Sequence, residues 1–130
     1  MNETIFKQRT KAFALNVIQL VEKLPKNKSA DIIGKQLLRS ATSVGANYRA
    51  ACRGKSVADI IAKLAIVEEE ADESIYWMEL LAESGIVSKQ HLQNIITEAD
   101  ELTAMTVSSI KTLRKRNPKS KTCGERNRTT

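Results

Sequence analysis

Apolar residues return every three or four positions through four stretches of the chain, the spacing of helices that each bury one face. The first stretch carries Phe6, Phe13, Val17, Leu20, Val21 and Leu24. It predicts a helix from Asn2 or Glu3 to Leu24, capped by Asn2 and stopped by Pro25. The second predicts a helix that starts near Ser29, read as its N-cap, and runs to Cys52 or Arg53. Gly54 then takes the left-handed position that closes many helices. The third opens on Ser56-Val57-Ala58-Asp59, a capping pattern with Asp in place of Glu. Its stripe is Ile60, Ile61, Leu64, Val67, Ala71, Ile75, Met78 and Leu81, and Gly85 closes it. The fourth, capped by Ser88, carries Leu92, Ile95, Ile96, Ala99, Leu102, Thr106, Ile110 and Leu113 and stops at Pro118. Such short connections make neighbouring helices antiparallel, so the predicted fold is all-α, an up-down-up-down four-helix bundle. Residues 1–117 form it, and residues 118–130, polar and basic without periodicity, read as a disordered tail.

The second helix has an unusual inner face: Ile33, Leu37, Ser40, Ala41, Val44, Asn47, Tyr48 and Ala51. Small and polar residues replace the expected Leu and Ile. Gly45 lies mid-helix, where it costs roughly 1 kcal/mol relative to Ala. Small residues admit a close neighbour, and Ser40, Ser43 and Asn47 need hydrogen-bond partners if covered. Ser40, Ser43, Gly45, Asn47 and Tyr48 are therefore candidate packing or subunit-contact positions. Trp77, on the flank of the third stripe, joins them as core or interface rather than as a platform for stacking bases.

Composition narrows the class. Hydrophobic residues make up 42% of the 130 residues and aromatics 4%, so the core is aliphatic. Five Gly and two Pro are too few for a turn-rich β fold. No apolar run approaches the roughly 18 residues that span a membrane. The first residues lack a basic-then-apolar leader pattern, so a cytoplasmic protein without a membrane partner is expected. Cys52 and Cys123 fit neither a metal spacing nor a disulfide framework.

Charge is distributed in blocks. Residues 1–56 hold 11 Lys and Arg against 3 Asp and Glu, residues 57–105 hold 2 against 11, and residues 106–130 hold 8 against 1. The simpler reading is neutralisation: the acidic third helix pairs with basic neighbours, within one bundle or between copies. The sharper reading is a basic surface left over for an anionic polymer. Its candidate contacts are Lys35, Arg39, Arg49 and Arg53 on the second helix and Lys111, Arg114, Lys115 and Arg116 on the fourth. Against them stands an ordinary solvated face. Lys7, Arg9 and Lys11 crowd the positive end of the first helix, which suits an acidic neighbour or a ligand.

Catalytic patterns are missing from the sequence. Bundle di-metal sites use Glu-x-x-His pairs, but the single histidine, His91, follows Ser88 at that spacing. Asp72 and Glu73 are neighbours and point apart. A Ser or Cys nucleophile would have no evident base, and no Gly-rich phosphate loop occurs. The expectation is a non-enzyme with no metal and no cofactor.

The run Gln36-Leu37-x-Arg39-Ser40-Ala41-x-Ser43-Val44-x-Ala46-Asn47-Tyr48-Arg49-Ala50-Ala51 resembles the signature of the bacterial four-helix-bundle proteins also known from open reading frames within 23S ribosomal RNA intervening sequences. Residues 62–81, from Ala62-Lys63-Leu64 to Glu79-Leu80-Leu81, are similar to a common subgroup, and the resemblance covers about residues 5–115. The ending Asn-x-x-Glu-Gly, frequent in the family, is Asn47-Tyr48-Arg49-Ala50-Ala51 here, so no role of that Glu carries over. The family is similar to the accessory protein of diversity-generating retroelements, a basic homopentameric barrel that binds nucleic acid and a reverse transcriptase. The resemblance thus implies a homo-oligomer, with a pentamer expected. Taken together, these readings predict a non-enzymatic oligomeric bundle that binds RNA or DNA through basic surfaces. The alternative is a scaffold or accessory subunit with a protein partner.

Overall fold

A side-chain cap sets the start of each helix in the computed structural model, which describes residues 2–116. Four helices form: α1 (Glu3–Glu22), α2 (Lys28–Cys52), α3 (Val57–Glu83) and α4 (Lys89–Arg116). The predicted tail, 118–130, lies outside the described residues. Asn2 caps α1, its Oδ1 accepting the Ile5 N–H at 3.1 Å. The helix ends at Glu22, two residues before the predicted Leu24, because the Lys23 and Leu24 N–H groups tighten onto the Leu20 and Val21 carbonyls. The predicted cap Ser29 is displaced by Asn27. Its backbone is extended and its side chain accepts the Ala30 N–H at 2.9 Å, which leaves Ser29 in the first turn. Ser56 caps α3 as predicted, taking the Asp59 N–H at 3.0 Å, and the Asp59 carboxylate accepts the Lys55 N–H. Ser88 accepts the His91 N–H, and the His91 ring lies on the same hydroxyl.

Two glycine readings need correction. Gly54 is not left-handed; among the described glycines only Gly85 has a positive φ, 79°. Gly54 is instead a close-approach residue, since a Cβ there would come within 2.4 Å of Ile60 Cγ1 and 3.1 Å of the Ala51 carbonyl. Gly45, expected to admit a near neighbour, has room: a Cβ would lie 3.4 Å from Thr10 Oγ1 and 3.5 Å from Thr10 Cβ, ordinary contacts. Packing therefore does not offset the helical cost of Gly45.

Consecutive helices lie side by side. α2 packs most extensively on α3, followed by α3 on α4 and α1 on α2, while α1 meets α4 only thinly. The pairs run antiparallel: the Phe6 ring lies on the Tyr48 ring with centroids 4.4 Å apart, and Gly54 abuts Ile60 across the α2–α3 turn. Phe6, Phe13, Val17, Leu37, Val44, Val67, Met78, Leu81, Leu92 and Leu102 fill the centre. Ile33, Ile60, Ile75, Ile95, Ile96 and Leu113, predicted in the core, are only partly buried around it. Thr10, Gly34 and Ser74, which the pattern passes over, are buried.

The polar inner face of α2 is satisfied from α3. Ser40 Oγ lies 2.9 Å from Ser74 Oγ, while the Leu37 and Glu70 carbonyls stand ready to accept from Ser40 and Ser74 respectively. Two hydroxyl protons thus serve the chain of contacts in either direction. An unsatisfied buried hydroxyl costs about 1–3 kcal/mol; each serine has a carbonyl of its own helix as acceptor, and the Ser40–Ser74 contact adds a bond across the two helices. Asn47 is only partly buried and donates to the Ser43 carbonyl of its own helix at 2.9 Å.

Two substitutions separate these glycine roles. Gly54→Ala is expected to lower unfolding free energy by about 1–3 kcal/mol through the clash with Ile60. Gly45→Ala is expected to raise it by about 0.5–1 kcal/mol through helix propensity alone. Urea unfolding followed by circular dichroism measures both; a destabilised Gly45→Ala would show that packing there is tighter than described.

Candidate nucleic-acid interface

An antiparallel bundle brings the start of α1, the end of α2, the start of α3 and the end of α4 to one end. The cations of these segments are Lys7, Arg9 and Lys11 on α1, Arg49 and Arg53 on α2, and Lys55 in the turn. Lys63 on α3 and Lys111, Arg114, Lys115 and Arg116 on α4 complete the set. The last turn of α4 places its cations at the negative end of the helix dipole. Among the described residues few acids oppose them. Glu3 pairs with Lys7 at 3.1 Å, one helical turn away. Asp59 is engaged by the Lys55 N–H. Glu68 shares a crevice of about 310 Å³ between α3 and α4 with Lys111 and Arg114. In or beside that crevice Arg114 Nε is buried with no hydrogen-bond partner among the described residues.

Six of the eight candidate contacts therefore converge: Arg49, Arg53, Lys111, Arg114, Lys115 and Arg116. The other two fall elsewhere. Lys35, toward the opposite end of α2, pairs with Asp31 at 3.4 Å on the exposed surface. Arg39 is held from across the α2–α3 seam, donating to Glu70 at 3.3 Å and to Glu73. The hydrogen bond to Glu70, then its charge and that of Glu73, pushes the Arg39 guanidinium above its ordinary range. Trp77 donates its indole N–H to the same Glu73 at 3.3 Å. Arg39, Glu70, Glu73 and Trp77 thus form a clasp between helices. Ser40 and Tyr48, named as packing or subunit positions, are buried inside the chain against Ser74 and Phe6. Ser43, Gly45, Asn47 and Trp77 are partly buried.

Arg9 is the residue whose partner the sequence left open. Its guanidinium donates to both carboxylate oxygens of Glu98, at 2.9 and 2.7 Å, and to Glu101 at 2.7 Å. One N–H also reaches the Met105 sulfur at 3.3 Å. These hydrogen bonds, Glu98 first, push the guanidinium well above its ordinary range against the opposing effect of burial. The neutralising reading of the charge blocks therefore holds at Arg9 and Arg39. Apart from Arg9 and Lys7, the cations of the basic end have no ion pair among the described residues.

A groove of about 490 Å³ runs between α1 and α2 at this end. Lys7, Lys11 and Arg49 stand along it, and Thr10, Ala14, Thr42, Gly45 and Ala46 make its floor. At the other end a larger hollow of about 720 Å³ is lined by Leu24, Pro25, Asn27, Asp31 and Lys35, with mixed charge. Among the described residues no group of three or more His, Cys, Asp or Glu is placed to hold a metal ion. No described helix is long and apolar enough to cross a membrane.

The architecture and the charge together define a four-helix-bundle protein with one cationic end. The chain belongs to the 23S rRNA-intervening sequence protein family, whose profile matches residues 2–108. It is similar to the crystal structure of a protein of unknown function from the S23 ribosomal protein family of Bacteroides thetaiotaomicron VPI-5482. The two share 34% identity over 85% of this chain and 99% of that one, with a TM-score of 0.80. No curated protein matches the sequence.

Arg9 closes the thin α1–α4 seam through partly buried, charge-assisted bonds, stronger than an exposed pair. Arg9→Gln is expected to cost about 1–2 kcal/mol. The melting temperature should fall by several degrees, with hydrogen exchange faster in α1 than in α2 or α3. An unchanged melting curve would show that the pair adds nothing to the seam.

Proposed function

We propose that this chain is a non-enzymatic, cytoplasmic protein that binds RNA or DNA through its cationic end. One observation carries the reading: the fold brings cations from three distant stretches of sequence to one end, where, among the described residues, only Lys7 and Arg9 are taken up by side-chain ion pairs. A polyanion gains from such a surface by releasing its condensed counterions, whatever its sequence. The reference to ribosomal RNA in the family's name agrees with this class of partner. About six phosphate contacts would lower affinity by about a thousandfold between 50 and 200 mM salt.

A second reading concerns assembly. Leu15 and Tyr76 are each 53% exposed and Ile32 55%, so α1, α2 and α3 all present large apolar side chains outward. We propose that copies of the chain cover them in a homo-oligomer, with the pentamer as the number the family resemblance favours. The partly buried Ser43 and Asn47 then lie at or near subunit contacts.

Binding to a mixed RNA is expected to be tight at low salt and to weaken steeply as salt rises. Lys111→Glu with Lys115→Glu should weaken it about tenfold without altering the helical spectrum. Absent or salt-independent binding would contradict the reading. Light scattering is expected to give a multiple of 14.5 kDa, changed by Asn47→Leu; a monomeric mass would contradict the assembly.

A further inference from the structure

We propose that the groove between α1 and α2 seats the phosphate backbone of a double-stranded nucleic acid, and that the protein does not stack the bases of a single strand. The inference rests on the nucleic-acid reading and names the form of the ligand and its seat. Two independent observations lead to it.

The first is the fate of the aromatic side chains. Single-strand binders combine a cationic track with exposed rings on which bases stack. The sequence has two Phe, two Tyr and one Trp. Phe6, Phe13 and Tyr48 are buried, with Phe6 and Tyr48 packed on each other beneath the basic end. Trp77 is partly buried and bonded to Glu73. Tyr76 is exposed, but Asp72, Glu73 and Glu79 lie three or four residues from it, within reach on the helix surface. Those carboxylates repel a phosphate chain. No ring is therefore available where the cations are. What the basic end offers is charge alone, which favours the polymer of higher charge density. A duplex carries about one charge per 1.7 Å of axis.

The second is Gly45. Its backbone is helical and a Cβ would fit, so neither turn geometry nor packing within the chain requires glycine. Yet it forms the floor of the groove flanked by Lys7, Lys11 and Arg49. A bare helix surface between cations lets a ligand's backbone approach closely, one of the uses to which glycine is put. Lys11 and Arg49 have no ion pair among the described residues and stand on opposite walls, one on α1 and one on α2. Lys111 and Arg114 lie in the α3–α4 crevice of the same end, where a second run of phosphates can be met. Contacts of this kind position a duplex without reading its bases.

The test measures fluorescence anisotropy of the full chain with a 20-base-pair duplex RNA, the matching duplex DNA and an unstructured oligouridine of 20 nucleotides, all at one salt concentration. At least one duplex is expected to bind about tenfold or more tightly than the single strand. Lys11→Glu with Arg49→Glu should lower duplex affinity about tenfold. Gly45→Leu should lower it severalfold at unchanged helical content; if that variant does not fold, the charge-reversal pair decides. Equal or tighter binding of the single strand, or parent-like duplex binding by the groove variants, would overturn the inference and leave nucleic-acid binding standing. Failure of all three ligands to bind at low salt would overturn both. The relative affinity of the two duplexes identifies which polymer the backbone contact favours.

Discussion

Five, four and five residues separate the four helices, and so short a return leaves each helix antiparallel to the one before it. The rest of the structure depends on that constraint. With direction fixed, the apolar stripes must face one another, and α2 must accept whatever α3 presents. Ser40 then meets Ser74 in a buried contact where each hydroxyl answers the other. Gly54 admits Ile60 at the turn. The same constraint arranges the electrostatics, because alternating direction places the head of α1 beside the tails of α2 and α4.

The acidic and basic blocks consequently meet in part. Arg39 and Arg9 are taken up by carboxylates of α3 and α4, which close seams between helices. These pairs differ in setting: Arg9 and Glu98 are each 29% exposed, whereas Arg39 is 49% exposed. The first pair therefore contributes more to holding its seam, since solvent screens the second. What remains is an end where cations outnumber the acids near them. The molecule is thus polar along its long axis, with lysines and carboxylates mixed at the opposite end.

The fold was readable because a 3.6-residue period and short loops leave few arrangements open. The caps at Asn2, Ser56 and Ser88 were equally direct, since each precedes a periodic run. The sequence does not single out Asn27 because Ser29 is as good a cap by type, and only the extended backbone at Asn27 decides between them. The role of Gly54 is ambiguous in sequence because left-handed closure and close approach both call for glycine. Thr10 and Ser74 escaped a hydrophobic pattern because they are polar, although they occupy helical spacing within their stripes. At the candidate site the limit was register. Arg39 and Arg49 look alike along α2, yet Glu70 and Glu73 stand opposite only the first. Arg9 did carry a signal: a cation near a positive helix end, which the structure answers with Glu98 and Glu101. The groove had no signal at all, because Lys7, Lys11 and Arg49 meet only when α1 lies on α2.

In the proposed reading, antiparallel packing makes one end of the bundle the surface that meets a polyanion. Amide chemical-shift perturbation on titrating a short duplex into the labelled full chain tests it most directly. The account predicts shifts clustered in residues 3–11, 45–55 and 107–116, with residues 22–35 and 76–90 unmoved. Shifts centred on the Pro25 end, or spread evenly along all four helices, would contradict it.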